Sequence, residues 1–254
     1  MKNFQEKYEF VDKYYNKTID IKRAELAEGG YSNIYRIRDK KVKTEYVLKK
    51  LRKFDPKDNF FFEKLKEGFE DEIGILIKVK GKNIINIIDY YSDEKYYNIV
   101  LEKMDGDLDE MLTKYYKNGM PSKLIMKIFA QINSGLKKML KNGKTHRDLK
   151  PSNILISYSN DNKTDFIIKL GGFGLSTDLG STATIASDAG TELFKAPEVE
   201  EGRFSNKCDL YSLGIILYML KTGQYIFEGN NYYEKWTNKK LNKKKKRNRW
   251  SNSK

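Results

Sequence analysis

Cysteine occurs once in the 254 residues, at Cys208, so the chain can close no disulfide on itself. Its setting, "NKCDLYS", suits a small packed residue near a helix start better than a nucleophile. Apolar runs are short: "SLGIILYML" (212–220) is far below the roughly 20 residues that a membrane span needs. The start, "MKNFQEKYEF", lacks the apolar core of a signal peptide. These shortages exclude an internal disulfide framework and a membrane-spanning helix, and they lead us to expect a soluble, cytoplasmic or nuclear protein. No internal repeat is visible.

Acid is missing from one place in particular. Residues 235–254 hold ten Lys or Arg and no Asp or Glu, so ten of the net +14 charges sit there. A run such as "NKKKKRNRW" can bind phosphate backbones, anionic lipid or an import receptor, but like-charge blocks are more often solvated tails. Nucleic acid is therefore ranked below protein as a partner. What remains, 39% hydrophobic and 13% aromatic, is enough for one sizeable core or two lobes sharing a cleft.

The first half reads as strands. "IDIKRAELAE" (19–28), "SNIYRIRDK" (32–40) and "EYVLKKL" (45–51) alternate with period two, with "GG" as a turn between the first pair. Helical spacing of Leu65, Phe69, Ile73, Leu76 and Ile77 predicts a helix over 61–80, and two strands follow near 85–91 and 96–101. After "MDGD" the pattern turns helical, at 107–119 and at 122–143, the latter opening behind Pro121 and closing at Gly143. A strand-rich part followed by a helix-rich part predicts a bilobal α+β protein.

The stretch "THRDLKPSNILI" (145–156) contains the only histidine, and here the sequence resembles the protein kinase family. Phosphoryl transfer needs a carboxylate to orient the attacking hydroxyl and cations to neutralise charge on the transferred group. The resemblance implies Asp148 as that base, Lys150 on the γ-phosphate and Asn153 as a Mg²⁺ ligand, with His146 as a packing residue. Other segments follow in the family's order. "LAEGGYSNIY" (26–35) looks like the glycine-rich loop, although only Gly29 fits, with Ala27 and Ser32 at the other glycine positions. By itself "EGG" is a hairpin turn. "YVLKKL" (46–51) resembles the strand of the phosphate-binding lysine, Lys49, with Val47 where a smaller residue is usual, and Glu72 falls where the family pairs that lysine. In "IVLEKMDGDL" (99–108) the family implies backbone hydrogen bonds to adenine from Glu102 and Met104, a wall at Leu101 and a ribose contact from Asp107. Ile34 and Leu155 complete the implied nucleotide-binding set.

Thr191, Ala196-Pro197-Glu198 and Asp209, in "GTELFKAPEVE" and "NKCDLYSLGIILYMLKTG", match the end of the activation segment and the residue that anchors the catalytic loop. Lys150 and Thr191 are features of the serine/threonine branch, and Arg147 could receive a phosphorylated residue from 181–191. The fold implied is a bilobal kinase: residues 1–18 an extension, an N-lobe of a small antiparallel sheet and one helix at about 19–102, a mainly helical C-lobe at about 103–229 lacking its last helices, and a basic tail at 230–254. The cofactors implied are ATP and Mg²⁺, and the partners a protein substrate or a partner kinase.

One departure stands out. In "KLGGFGLS" (169–176) Gly172 occupies the place of the aspartate that grips Mg²⁺ in the family. The expectation is an ATP-dependent serine/threonine kinase of impaired activity, the alternative being a pseudokinase that acts as a nucleotide-binding or scaffold module.

Overall fold

A computed structural model of the chain describes residues 4–12, 18, 21–28, 32–53, 59–160, 165–178, 193–200, 205 and 207–226. In chain order it has α1 (Phe4–Lys7), β1 (Tyr8–Phe10), β2 (Glu25–Glu28), β3 (Ser32–Asp39), β4 (Glu45–Arg52), α2 (Asn59–Lys78), β5 (Ile87–Ser92) and β6 (Tyr96–Glu102). Then come β7 (Gly106–Asp107), α3 (Leu108–Tyr115), α4 (Ser122–Lys141), β8 (Lys144–Thr145), β9 (Ile154–Tyr158) and β10 (Phe166–Leu170), with β11 (Thr177–Asp178), α5 (Pro197–Glu200) and α6 (Lys207–Thr222) last.

The chain divides into two compact units, Met1–Asp105 with Leu155–Ser176, and Gly106–Ile154 with Thr177–Lys254. The division expected near 102/103 therefore has an exception, since 155–176 groups with the first unit. Hydrogen bonds explain it: Ile85 N donates to Leu170 O, Leu170 N to Asn83 O, and the Asn83 side chain to Ile168 O.

In the first unit an antiparallel sheet runs β1-β3-β4-β6-β5, with β2 also on β3. Alternation in β4 and β6 sorts the two faces. Leu51, Ile99 and Tyr97 pack with Phe69 and Ile73 of α2, and Leu48 and Val100 pack with Tyr8, Ala24, Tyr35 and Ile37. Three expectations change. Among the described residues of the strand expected at 19–28, only Glu25–Glu28 is extended, because Ile21–Arg23 turns as a 3₁₀ helix. Residues ahead of 19 supply a strand of their own, β1, whose Tyr8 is buried in the sheet's second face. Ile77 is 46% exposed, just off the buried arc of α2, which runs through Phe69, Glu72, Ile73, Ile75 and Leu76.

In the second unit α4 buries Ile125, Ile128, Ile132, Leu136 and Met139, a helical stripe, against α6 and β8. It ends as expected, with Gly143 in the left-handed region at φ 70°. Gly119 and Gly223, both with positive φ, allow a backbone approach that no side chain would permit: a Cβ on Gly119 would strike the Lys221 carbonyl, and one on Gly223 the Lys117 carbonyl. Met120 N donates to Leu220 O across that approach, at 2.7 Å.

Candidate functional site

Register carries the first group of residues. Ala27 on β2 stands opposite Ile34 on β3, Ile34 opposite Lys49 on β4, and Val47 opposite Leu101 on β6. Directly opposed residues share a face, so Ala27, Ile34, Val47, Lys49 and Leu101 lie on the side of the sheet that α2 covers. Glu72 lies on the buried arc of α2 and is 3% exposed. A carboxylate so buried needs a partner, and Lys49 Nζ donates to both of its oxygens, at 2.8 and 2.6 Å. The sequence-predicted pair is formed.

The turn that contains Gly172 lies against this pair. Phe173 is 1% exposed, and its short helical turn packs on α2. A Cβ on Gly174 would meet Glu72 Oε2 at 3.5 Å and Lys49 Nζ at 3.6 Å. Gly172 itself is exposed, in the left-handed region at φ 73° and ψ 45°.

At the end of β6, Glu102 makes side-chain contacts that the sequence reading, which expected only backbone bonds from it, did not include. Its Oε1 accepts from Lys169 Nζ at 2.6 Å and from Asn86 N at 2.7 Å. The sequence reading missed Lys169 and Asn86; 67 residues separate Lys169 from Glu102, and no local spacing links them. Met104 is half-buried, as is Leu155 on β9. Gly29 lies outside the described residues, as do Thr191 and the segment 181–191.

The second unit carries the loop from His146 to Asn153. His146 and Leu149 are buried and fix it inward. Asp209, 6% exposed on α6, accepts from His146 N and Arg147 N, both at 2.8 Å. The anchoring role expected of Asp209 is thereby borne out. Arg147 holds φ 68°, a left-handed conformation unusual for a side chain of its size, and burial lowers its pKa. Asp148 has two unlike oxygens. Oδ2 accepts from Asn153 Nδ2 at 2.9 Å and lies 3.2 Å from Lys150 Nζ, whereas Oδ1 is buried with no hydrogen-bond partner. Asn153 Nδ2 also donates to the Asp148 carbonyl at 2.7 Å.

Two other side chains have local duties. Asp107 caps α3, accepting from Glu110 N at 2.9 Å, and its pKa is raised by burial against the pull of that bond. Cys208 is buried, and desolvation, followed by the charge of Asp209, pushes its thiol up to about 12, which keeps it a thiol rather than a nucleophile.

The residues present do not fit a kinase-type metal centre. Mg²⁺ is usually held through one or two carboxylates together with substrate phosphates. Gly172 brings no side-chain oxygen, Asn153 offers only a neutral amide oxygen rather than a carboxylate, and the described residues hold no cluster of three His, Cys, Asp or Glu suited to a metal.

Comparison with known proteins gives a consistent result. The family model described as protein kinase domain matches residues 21–254, running through the segment that the sequence sets apart as a basic tail. The chain is 34% identical over 211 residues to calcium-dependent protein kinase 4 of Plasmodium falciparum, covering 82% of this chain and 38% of that protein. It is 30% identical over 211 residues to serine/threonine-protein kinase Nek5 of Mus musculus, covering 82% of this chain and 31% of that protein. The chain thus spans about a third of the length of these relatives.

Proposed function

The chain belongs to the eukaryotic protein kinase family, and from that premise we propose that it binds ATP and transfers the γ-phosphoryl group to a serine or threonine hydroxyl of a protein, at a rate impaired by Gly172. The observation that carries this reading is the Asp148 carboxylate: one oxygen is held by Asn153 and Lys150, and the other is a buried acceptor with no partner. An unsatisfied buried acceptor costs about 1–3 kcal/mol, and exceptions of this kind call for an explanation, a catalytic role being one. We assign Oδ1 to the proton of the attacking hydroxyl.

In this reading Lys49, oriented by Glu72, and Lys150 offset the phosphate charge. Glu102 and Met104 offer backbone groups to adenine, and Ala27, Gly29, Ile34, Val47 and Leu155 enclose it. Asp107 takes the ribose with whatever acceptor capacity its cap leaves. No step is assigned to a metal, because the residues do not fit one.

The test is transfer from labelled ATP to a general protein acceptor. The wild type is expected to show slow transfer, abolished in Asp148→Ala. Transfer equal in both would refute the assignment. The second reading, a pseudokinase that binds nucleotide or a partner kinase without transfer, is favoured by Gly172 and predicts no signal in either, with a thermal shift by ATP retained.

A further inference from the structure

We infer that Lys169 is a positioning residue which, with Asp105, holds the backbone from Glu102 to Met104 in the shape that receives the adenine edge. The inference rests on the nucleotide-binding reading above and extends it to residues that lie outside the assigned set.

Glu102 is the last paired residue of β6, where a strand end would otherwise fray. Three contacts hold it. Its N–H donates to Asn86 O at 3.1 Å, and its Oε1 accepts both from Asn86 N and from Lys169 Nζ. The Lys169–Glu102 pair is well shielded, at 13% and 23% side-chain exposure, so water screens it less than an open surface pair. Lys169 is itself carried on a rigid support: its neighbours Ile168 and Leu170 on β10 are fully buried, and both are hydrogen-bonded to Asn83.

The other flank is fixed independently. Asp105 N donates to Ile156 O at 2.8 Å, and Asp105 Oδ2 accepts from Tyr158 N at 2.8 Å and from Ser157 Oγ at 3.2 Å. The two residues Lys103 and Met104 are thereby pinned at both ends, one pin electrostatic on β10 and the other hydrogen-bonded on β9. A backbone already ordered before the ligand arrives spares the ordering cost of binding. The pins act on the base-recognition segment and leave Lys49 and Asp148 untouched, so their effect falls on binding of the purine.

The experiment compares the full chain with Lys169→Met, Lys169→Arg and Asp105→Ala, titrating adenosine and ATP by thermal shift and measuring KM and kcat for ATP. The expected result is about tenfold weaker binding of adenosine and ATP alike in Lys169→Met, with KM raised and kcat at saturation little changed. Lys169→Arg should restore most of the affinity. Asp105 is exposed and its substitution spares the core, so Asp105→Ala should weaken adenosine binding even if Lys169→Met fails to fold. Wild-type affinity in Lys169→Met or in Asp105→Ala overturns the inference while leaving the nucleotide reading standing. Absence of any shift in the wild type overturns both.

Discussion

Gly172 carries two burdens that a substitution can separate. Its φ of 73° is one that side chains tolerate poorly, although aspartate is among those that enter this region most readily. Gly172→Asp is therefore expected to cost about 1 kcal/mol of stability while restoring an anionic ligand. We expect phosphoryl transfer in this variant to become Mg²⁺-dependent and to rise on the order of 100-fold, measured with labelled ATP with and without chelator. Unchanged transfer would move the defect to another residue, with Val47 the first candidate. In the wild type, by the same logic, the thermal shift produced by ATP should be nearly the same with Mg²⁺ as without it.

At the scale of elements, charged groups fix what apolar packing leaves free. Asp209 of α6 accepts two hydrogen bonds from the loop that bears Asp148, one of them from the strained Arg147. Asp209→Ala leaves both N–H groups without their acceptor. A loss of about 3 kcal/mol is expected in urea unfolding, with Asp209→Asn losing less. In the first unit Glu45 of β4 takes a two-point grip from Arg36 of β3, at 3.0 and 2.6 Å. Burial opposes ionisation of Glu45, but the Arg36 hydrogen bonds and the charges of Arg36, Lys103 and Arg38 prevail and hold its pKa below the usual carboxylate value. A pKa depressed in the folded state means stability that is fully present above the unfolded value and lost as pH falls through the folded one. Glu45→Gln should therefore lower stability at neutral pH by roughly 1–2 kcal/mol and flatten the loss of Tm on acidification.

For the molecule as a whole, charge is unevenly spread, with ten of the net +14 in residues 235–254. Counterion release then assigns most of any polyanion affinity to that stretch. A chain ending at residue 226 should elute from heparin at clearly lower salt than the full chain, and its adenosine affinity should be unchanged. Equal elution would place the basic surface within the folded units instead.

Much of the plan was legible in the residue string. The strand at 32–40, the helix behind Pro121 and the pairing of Lys49 with Glu72 follow from period, punctuation and motif order, all of which act over short distances along the chain or survive in family patterns. The exposed side of Ile77, the added strand at Tyr8, the grouping of 155–176 with the first unit and the Lys169 grip on Glu102 were not. Each depends on which distant segments meet, and a hydrogen bond between residues 67 apart leaves no periodic trace. The sequence by itself therefore pointed to the family the chain belongs to and named the residues expected to carry its chemistry. Only the tertiary structure decided which carboxylate oxygen is left unpartnered and which backbone is pinned, because those outcomes depend on burial and on long-range contact.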